Sequence, residues 1–226
     1  VAGPVKTEDV RVMAEKWFGD IPSGDKYDRR LPQEPAQTET RRLVVEADVP
    51  LDALYMCWHM PARMEPGYQA VDMLTDILGS GASSRLHQSL VKEQKLFSNV
   101  ECYHFGSTDR GLLTIEGKLV TGVTLEAAES AVQKEIDQLL TNGVTEDELQ
   151  KAKNKTESMI AFEDMSVMNR ATSLAHYELL GDADMMNTEF ARYAAVTIKD
   201  VLVQAEQIFR MENLNVMYYR SKPEAV

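Results

Sequence analysis

The sequence is short of cysteine, of positive charge and of long hydrophobic runs, and each shortage removes a class of protein. Two cysteines in 226 residues cannot build a disulfide framework. Cys57 and Cys102 each lie in an apolar, strand-like run, so both read as buried thiols. Lys and Arg number 24 against 36 Asp and Glu, a formal net charge of −12. That field repels phosphate backbones and anionic lipid, so neither nucleic acid nor a membrane surface is an expected partner. No apolar run approaches the ~18 residues that a spanning helix needs. The chain opens Val1-Ala2-Gly3-Pro4 without an initiator Met or signal peptide, and so reads as a piece of something longer.

Catalytic motifs are equally scarce. None of the four histidines (His59, His87, His104 and His176) stands four residues from another. That spacing is what lets one helix face grip a metal. His59 and His104 fall on expected strands, and a zinc site built on them lacks a third ligand. There is no Gly-x-Ser-x-Gly, and no general base is evident beside either cysteine. Gly79 to Arg85 superficially resembles a phosphate loop. It lacks the Gly-Lys-Ser/Thr ending, and a helix stands where the preceding strand should be.

What is present is ordinary globular composition, 44% hydrophobic and 27% charged, patterned into clear elements. TEDVRVMAEKWF (7–18) opens with a Thr cap, carries a stripe of Val10, Ala14, Trp17 and Phe18, and ends at Gly19 and Pro22. Residues 23–40 are polar and proline-bearing, the composition of a connector. Two strands (43–49, 53–60) follow. In the next helix Ala70, Met73, Leu74, Ile77 and Leu78 share one face until Gly79-Ser80-Gly81 stops it. A short helix from Ser83 or Ser84 carries Leu86 and Leu90. A hairpin (97–105, 112–120) follows, then a Thr124-capped helix with the stripe Leu125, Ala128, Val132, Ile136 and Leu139.

Thr145 and Glu148 form a capping-box pair that opens the longest helical stretch. It runs to about Leu180 with a kink near 164–166. Helices at about 186–194 and 197–210 and a strand at 214–219 close the chain. Strands in hairpins and helices in runs imply an α+β fold with an antiparallel sheet. DVRVMAEKWF (9–18) also matches DVLVQAEQIF (200–209) at six positions, which suggests a duplicated element.

LGSGASSRLHQSLVKEQKLFSNV (78–100) resembles a signature of the insulinase (pitrilysin) family of zinc metallopeptidases, the mitochondrial-processing-peptidase-like group and in particular its bacterial type. A helix there ends in a small-residue turn before Ser-Arg-Leu and a Leu-Val-Lys-Glu helix. The family order extends over the chain. The resemblance implies three segments: the closing helix of a preceding homologous domain (1–22), a linker (23–40), and the second, non-zinc-binding domain (41–226). It implies helices packed on one face of the sheet. It also implies that zinc sits in a partner half, that this chain holds no metal ligand or catalytic residue, and that it is inactive alone.

The implied partners are the zinc-bearing homologous domain or subunit and a peptide substrate, with a homodimer as a further option. Gly79, Gly81, Ser84 and Arg85 are the substrate-contact candidates. An Arg and a Tyr that approach the scissile carbonyl in relatives would fall at Val91 or Lys92 and at Phe97 or Ser98, and neither is present. The function implied is one wall of a peptide-enclosing chamber; the alternative is an inactive scaffold or assembly subunit.

Overall fold

Leu54, Met56, Trp58 and Met60 alternate with Tyr55, Cys57 and His59 along β2 (Ala53–Met60), and burial follows that alternation. The period of two places the first set on one face of a sheet and the second on the other. The computed structural model describes residues 1–25, 32 and 34–222. In it β2 is the central strand. It pairs antiparallel with β4 (Gly111–Leu119) on one side and with β5 (Leu214–Ser221) on the other. β3 (Phe97–Phe105) lies outside β4, and β1 (Arg41–Ala47) lies outside β5. The order is β1-β5-β2-β4-β3.

The sheet is mixed rather than wholly antiparallel, because β1 and β5 run parallel. The physical reason is long-range. The last strand of the chain inserts between β1 and β2, which already run in opposite directions, so it must be parallel to one of them. The backbone groups on the facing edges of β1 and β2 find their partner in the last strand of the chain, with Arg41 opposite Asn215 and Ala53 opposite Tyr219. No local pattern announces this.

Helices cover the face that carries Trp58. α2 (Tyr68–Gly79) packs on β3, and α3 (Leu125–Asn142) and α7 (Ile198–Ile208) on β2. The stripes expected for α2 and α3 are the ones buried, and Thr124 accepts the Ala127 amide as the α3 cap. The segment after Ser84 widens into a π-helix (His87–Glu93) that still buries Leu90. The expected long helix is two, α4 (Glu146–Glu163) and α5 (Val167–Leu180). The break falls at 164–166, where Ser166 caps α5 by accepting the Asn169 amide. α6 (Met185–Ala194) follows.

α1 (Thr7–Phe18) takes in the expected cap, Thr7, as its first helical residue, and Lys6 stands at the N-cap without a side-chain bond. Cys102 is buried as expected, but Cys57 is only half-buried. The two pair in register with Ile115 and Thr114, adjacent residues of β4, and therefore lie on opposite faces of the sheet. Burial pushes both thiols above the ordinary value.

Two compact units divide the chain: Val1–Ala36 with Ser158–Thr188, and Gln37–Glu157 with Glu189–Val226. The second holds the sheet. Residues 26–31 and 33, inside the expected linker, lie outside the described residues.

Candidate functional site

The small-residue turn after α2 is set by a close approach of backbone to backbone. A Cβ on Gly79 would collide with the Cys102 nitrogen in β3, so only glycine lets the helix end there. Gly81 has φ +80° with open space beside it. Ser84 is buried, and its hydroxyl donates to the Gly81 carbonyl at 2.8 Å, closing the turn.

Arg85 then fastens the turn to the junction of α3 and α4. Its Nε and Nη2 donate to the two Glu148 carboxylate oxygens at 2.6 and 2.7 Å, and Nη2 also reaches the Gly143 carbonyl at 2.8 Å. Glu148 simultaneously accepts the Thr145 amide at 2.8 Å, while Thr145 Oγ1 accepts the Glu148 amide at 3.2 Å, the expected capping box. Hydrogen bonding from Arg85 outweighs burial and pulls the Glu148 carboxyl down to about 2. The four substrate-contact candidates thus share one turn. Gly81 is exposed, Gly79 and Ser84 face inward, and the Arg85 guanidinium is committed to Glu148.

Arg85→Ala should destabilise the chain by roughly 1–3 kcal/mol, the range for a lost charge-assisted hydrogen-bonded pair. Glu148 has a folded value near 2 against an ordinary 4.5. The clamp's contribution is therefore fully present above 4.5 and lost as pH falls through about 2. Denaturant titrations of both proteins should show a constant gap at neutral pH that narrows below 4.5. A gap that widens on acidification would contradict the assignment.

At the positions expected for an Arg and a Tyr, Val91 and Lys92 lie on the π-helix. Phe97 is a core residue against Gly117, where a Cβ would come within 2.5 Å of its ring. Ser98 is exposed and donates to the Lys118 carbonyl.

The histidines do not converge. His59 is in register with Leu112 and His104 with Leu113, so they point from opposite faces of the sheet and cannot share an ion. Among the described residues no three His, Cys, Asp or Glu side chains group as a metal site. His59 Nδ1 lies 3.0 Å from the Asn213 side-chain oxygen.

His104 joins a part-buried network that sequence reasoning missed. Its Nε2 is 3.0 Å from Asp72 Oδ1, and the Tyr193 hydroxyl donates to Asp72 Oδ2 at 2.7 Å. Burial alone would raise the Asp72 carboxyl, yet the bonds from His104 and Tyr193 hold it below its usual value. Beside them Arg63 donates to Glu189 at 2.6 Å and lies over the Tyr68 ring. With its amide oxygen turned toward the guanidiniums, Gln69 accepts from Arg63 and Arg192. The missing signal was distance: no spacing rule ties residue 72 to 104 and 193.

A mixed five-stranded sheet backed by helices, with a glycine turn pinned to a capped helix, defines an α+β domain. The family model described as peptidase M16 inactive domain matches residues 1–156, and the chain belongs to that family. It is 25% identical over 214 residues to the zinc protease YmxG of Bacillus subtilis, covering 92% of this chain and 50% of that protein. It is 24% identical over 213 residues to the zinc protease PqqE of Helicobacter pylori, covering 93% and 48%. The chain therefore spans about half the length of the curated relatives it matches. A protease structure from Helicobacter pylori superposes with a TM-score of 0.89 at 22% identity, over 97% of this chain and 54% of that one. A peptidase M16 inactive domain from Pseudomonas fluorescens gives 0.78 at 19%, over 98% and 52%. At those identities the likeness speaks for the fold.

Proposed function

We propose that this chain is the C-terminal, non-catalytic domain of an insulinase-type zinc metallopeptidase. In this reading it forms part of the wall of a peptide-enclosing chamber and supports hydrolysis by a zinc-bearing half. Residues 41–226 are that domain, 23–40 the linker, and 1–22 the end of the preceding homologous domain. Zinc and its water belong to the other half. This chain's part is to hold an extended peptide in place and exclude solvent, with Gly79, Gly81, Ser84 and Arg85 forming the turn on the substrate side.

The observation that carries the reading is a mismatch between two like helices. Val201, Ala205, Ile208 and Phe209 of the α7 region are all buried. Their counterparts in the matching segment of α1 are Val10, Ala14, Trp17 and Phe18, and no residue of α1 is buried. The stripe is buried at α7, and none of it is buried at α1. An α1 built to the α7 pattern calls for a sheet domain of the same kind to cover it.

Fluorescence provides the test, since Trp17 is 69% exposed and Trp58 1%. Acrylamide should quench Trp17 strongly in the isolated chain, and adding the zinc-bearing half should remove most of that quenching. Trp17→Phe should abolish the change. Quenching unaltered by a saturating zinc half would count against the assembly.

The second reading, an inactive scaffold or assembly subunit, draws support from the Arg and Tyr positions. A core Phe97 and the π-helix residues Val91 and Lys92 offer no group equivalent to that pair.

A further inference from the structure

Beside the turn, an open cleft of about 340 Å³, solvent included, lies between the end of α2 and the first half of α4. Lys151 and Lys155 enter it from one face of α4. Lys155 Nζ donates to Ser80 Oγ and to Asp76 Oδ1, each at 2.6 Å. Lys151 Nζ donates to Ser83 Oγ and reaches the Ser83 carbonyl at 3.4 Å. Glu148 also borders the cleft, but its two oxygens are already taken by Arg85 and Thr145.

The charge balance is uneven. Asp76 offsets Lys155, and Glu148 offsets Arg85. Lys151 pairs with no carboxylate among the described residues, although the chain as a whole carries −12. Two ammonium groups one helical turn apart repel each other, an arrangement that a bound anion would relieve. The hydroxyls point to the same chemistry. Ser80 and Ser83 oxygens each accept from an ammonium, so each O–H remains available to donate. Ammonium and hydroxyl donors converging on an open cleft make a receptor for an acceptor-only group with two oxygens.

We infer that the Ser80–Ser83–Lys151–Lys155 cleft binds a carboxylate of the peptide held by this domain, from an acidic side chain or from a free C-terminus. The inference rests on the proposed function, in which this turn meets substrate, and gives that function a preference in substrate chemistry. Lys151 supplies the uncompensated charge, and Ser83 supplies a second donor.

Three pentapeptides test it by amide NMR of the ¹⁵N-labelled chain: acetyl-Ala-Ala-Glu-Ala-Ala-amide, the same peptide with Gln, and acetyl-penta-alanine with a free carboxyl end. Resonances of Ser80, Gly81, Ser83 and Lys151 should shift on titration, with Kd for the Glu peptide or the free-carboxyl peptide at least tenfold below that of the Gln peptide. The peptide showing the gain identifies the source of the carboxylate. Lys151→Gln should remove the advantage while leaving the amide spectrum of the sheet unchanged. Equal binding of all three peptides, or an advantage that survives Lys151→Gln, overturns the inference and leaves the chamber role standing. Failure of every peptide, the neutral one included, to move the turn resonances defeats both.

Discussion

On the proposed function, mixing this chain with a zinc-bearing half is expected to raise cleavage of an unfolded peptide by on the order of a hundredfold over that half alone. A metal centre can activate water without help, but the scissile bond must also be held in line with that water. A displacement of about 1 Å at the reacting atoms costs a factor of this size. A lone half also leaves its site open to solvent on the side that a facing domain would close. The comparison is of kcat/KM with a quenched fluorogenic peptide, at fixed zinc half and increasing concentrations of this chain. Saturation at one chain per half is the expected form. A zinc half that reaches full activity unaided would defeat the chamber role, whatever the behaviour of Arg85. Arg85→Ala separates two jobs within that experiment. Its guanidinium holds Glu148 and the Gly143 carbonyl, so rescue should weaken through a misplaced turn rather than a lost substrate contact. Arg85→Lys should recover only part of the loss, because a single ammonium cannot span both oxygens of Glu148.

The largest stability effect should come from the Arg63–Glu189 ion pair. The Arg63 and Glu189 side chains are 12% and 5% exposed and lie 2.6 Å apart. Arg63→Met leaves the Glu189 carboxylate, among the described residues, with Arg192 at 3.4 Å. Removing one member of such a pair typically costs about 3–5 kcal/mol, most of it the penalty for a charge left buried. Replacing both members tells more. Arg63→Met with Glu189→Leu removes both charges at once and should cost less than the sum of the single changes, with a coupling of roughly 1–3 kcal/mol. Urea unfolding of the four proteins measures it. Additive costs would mean that the two side chains act independently, contrary to their geometry.

Periodicity made the helical layer and all five strands legible because each is a local property. Leu125, Ala128, Val132, Ile136 and Leu139 share a face at any helical pitch near 3.6 residues per turn, and all five are buried. Thr145 and Glu148 announce a cap from spacing alone, and the cap forms. The glycines of the 79–81 turn are readable as a helix stop for the same reason. Arg85 was legible as a charged residue beside that turn. Its partner was not, since Glu148 is 63 residues away and the clamp exists only once α4 is docked. The Asp72–His104–Tyr193 network is hidden in the same way: on the sequence each member resembles a solvated or edge residue.

The sequence by itself determined the α+β class, the element order, the absence of a zinc motif and, through residues 78–100, the family. It did so because hydrophobic period, caps and motif spacing are written within a few residues. Tertiary structure alone decided the parallel β1–β5 pair, the opposite-face placement of His59 and His104, and the Arg63–Glu189 contact. Each depends on which distant strands and helices meet. That choice is made by the total burial of the sheet's apolar face, a global quantity to which no short window of residues corresponds.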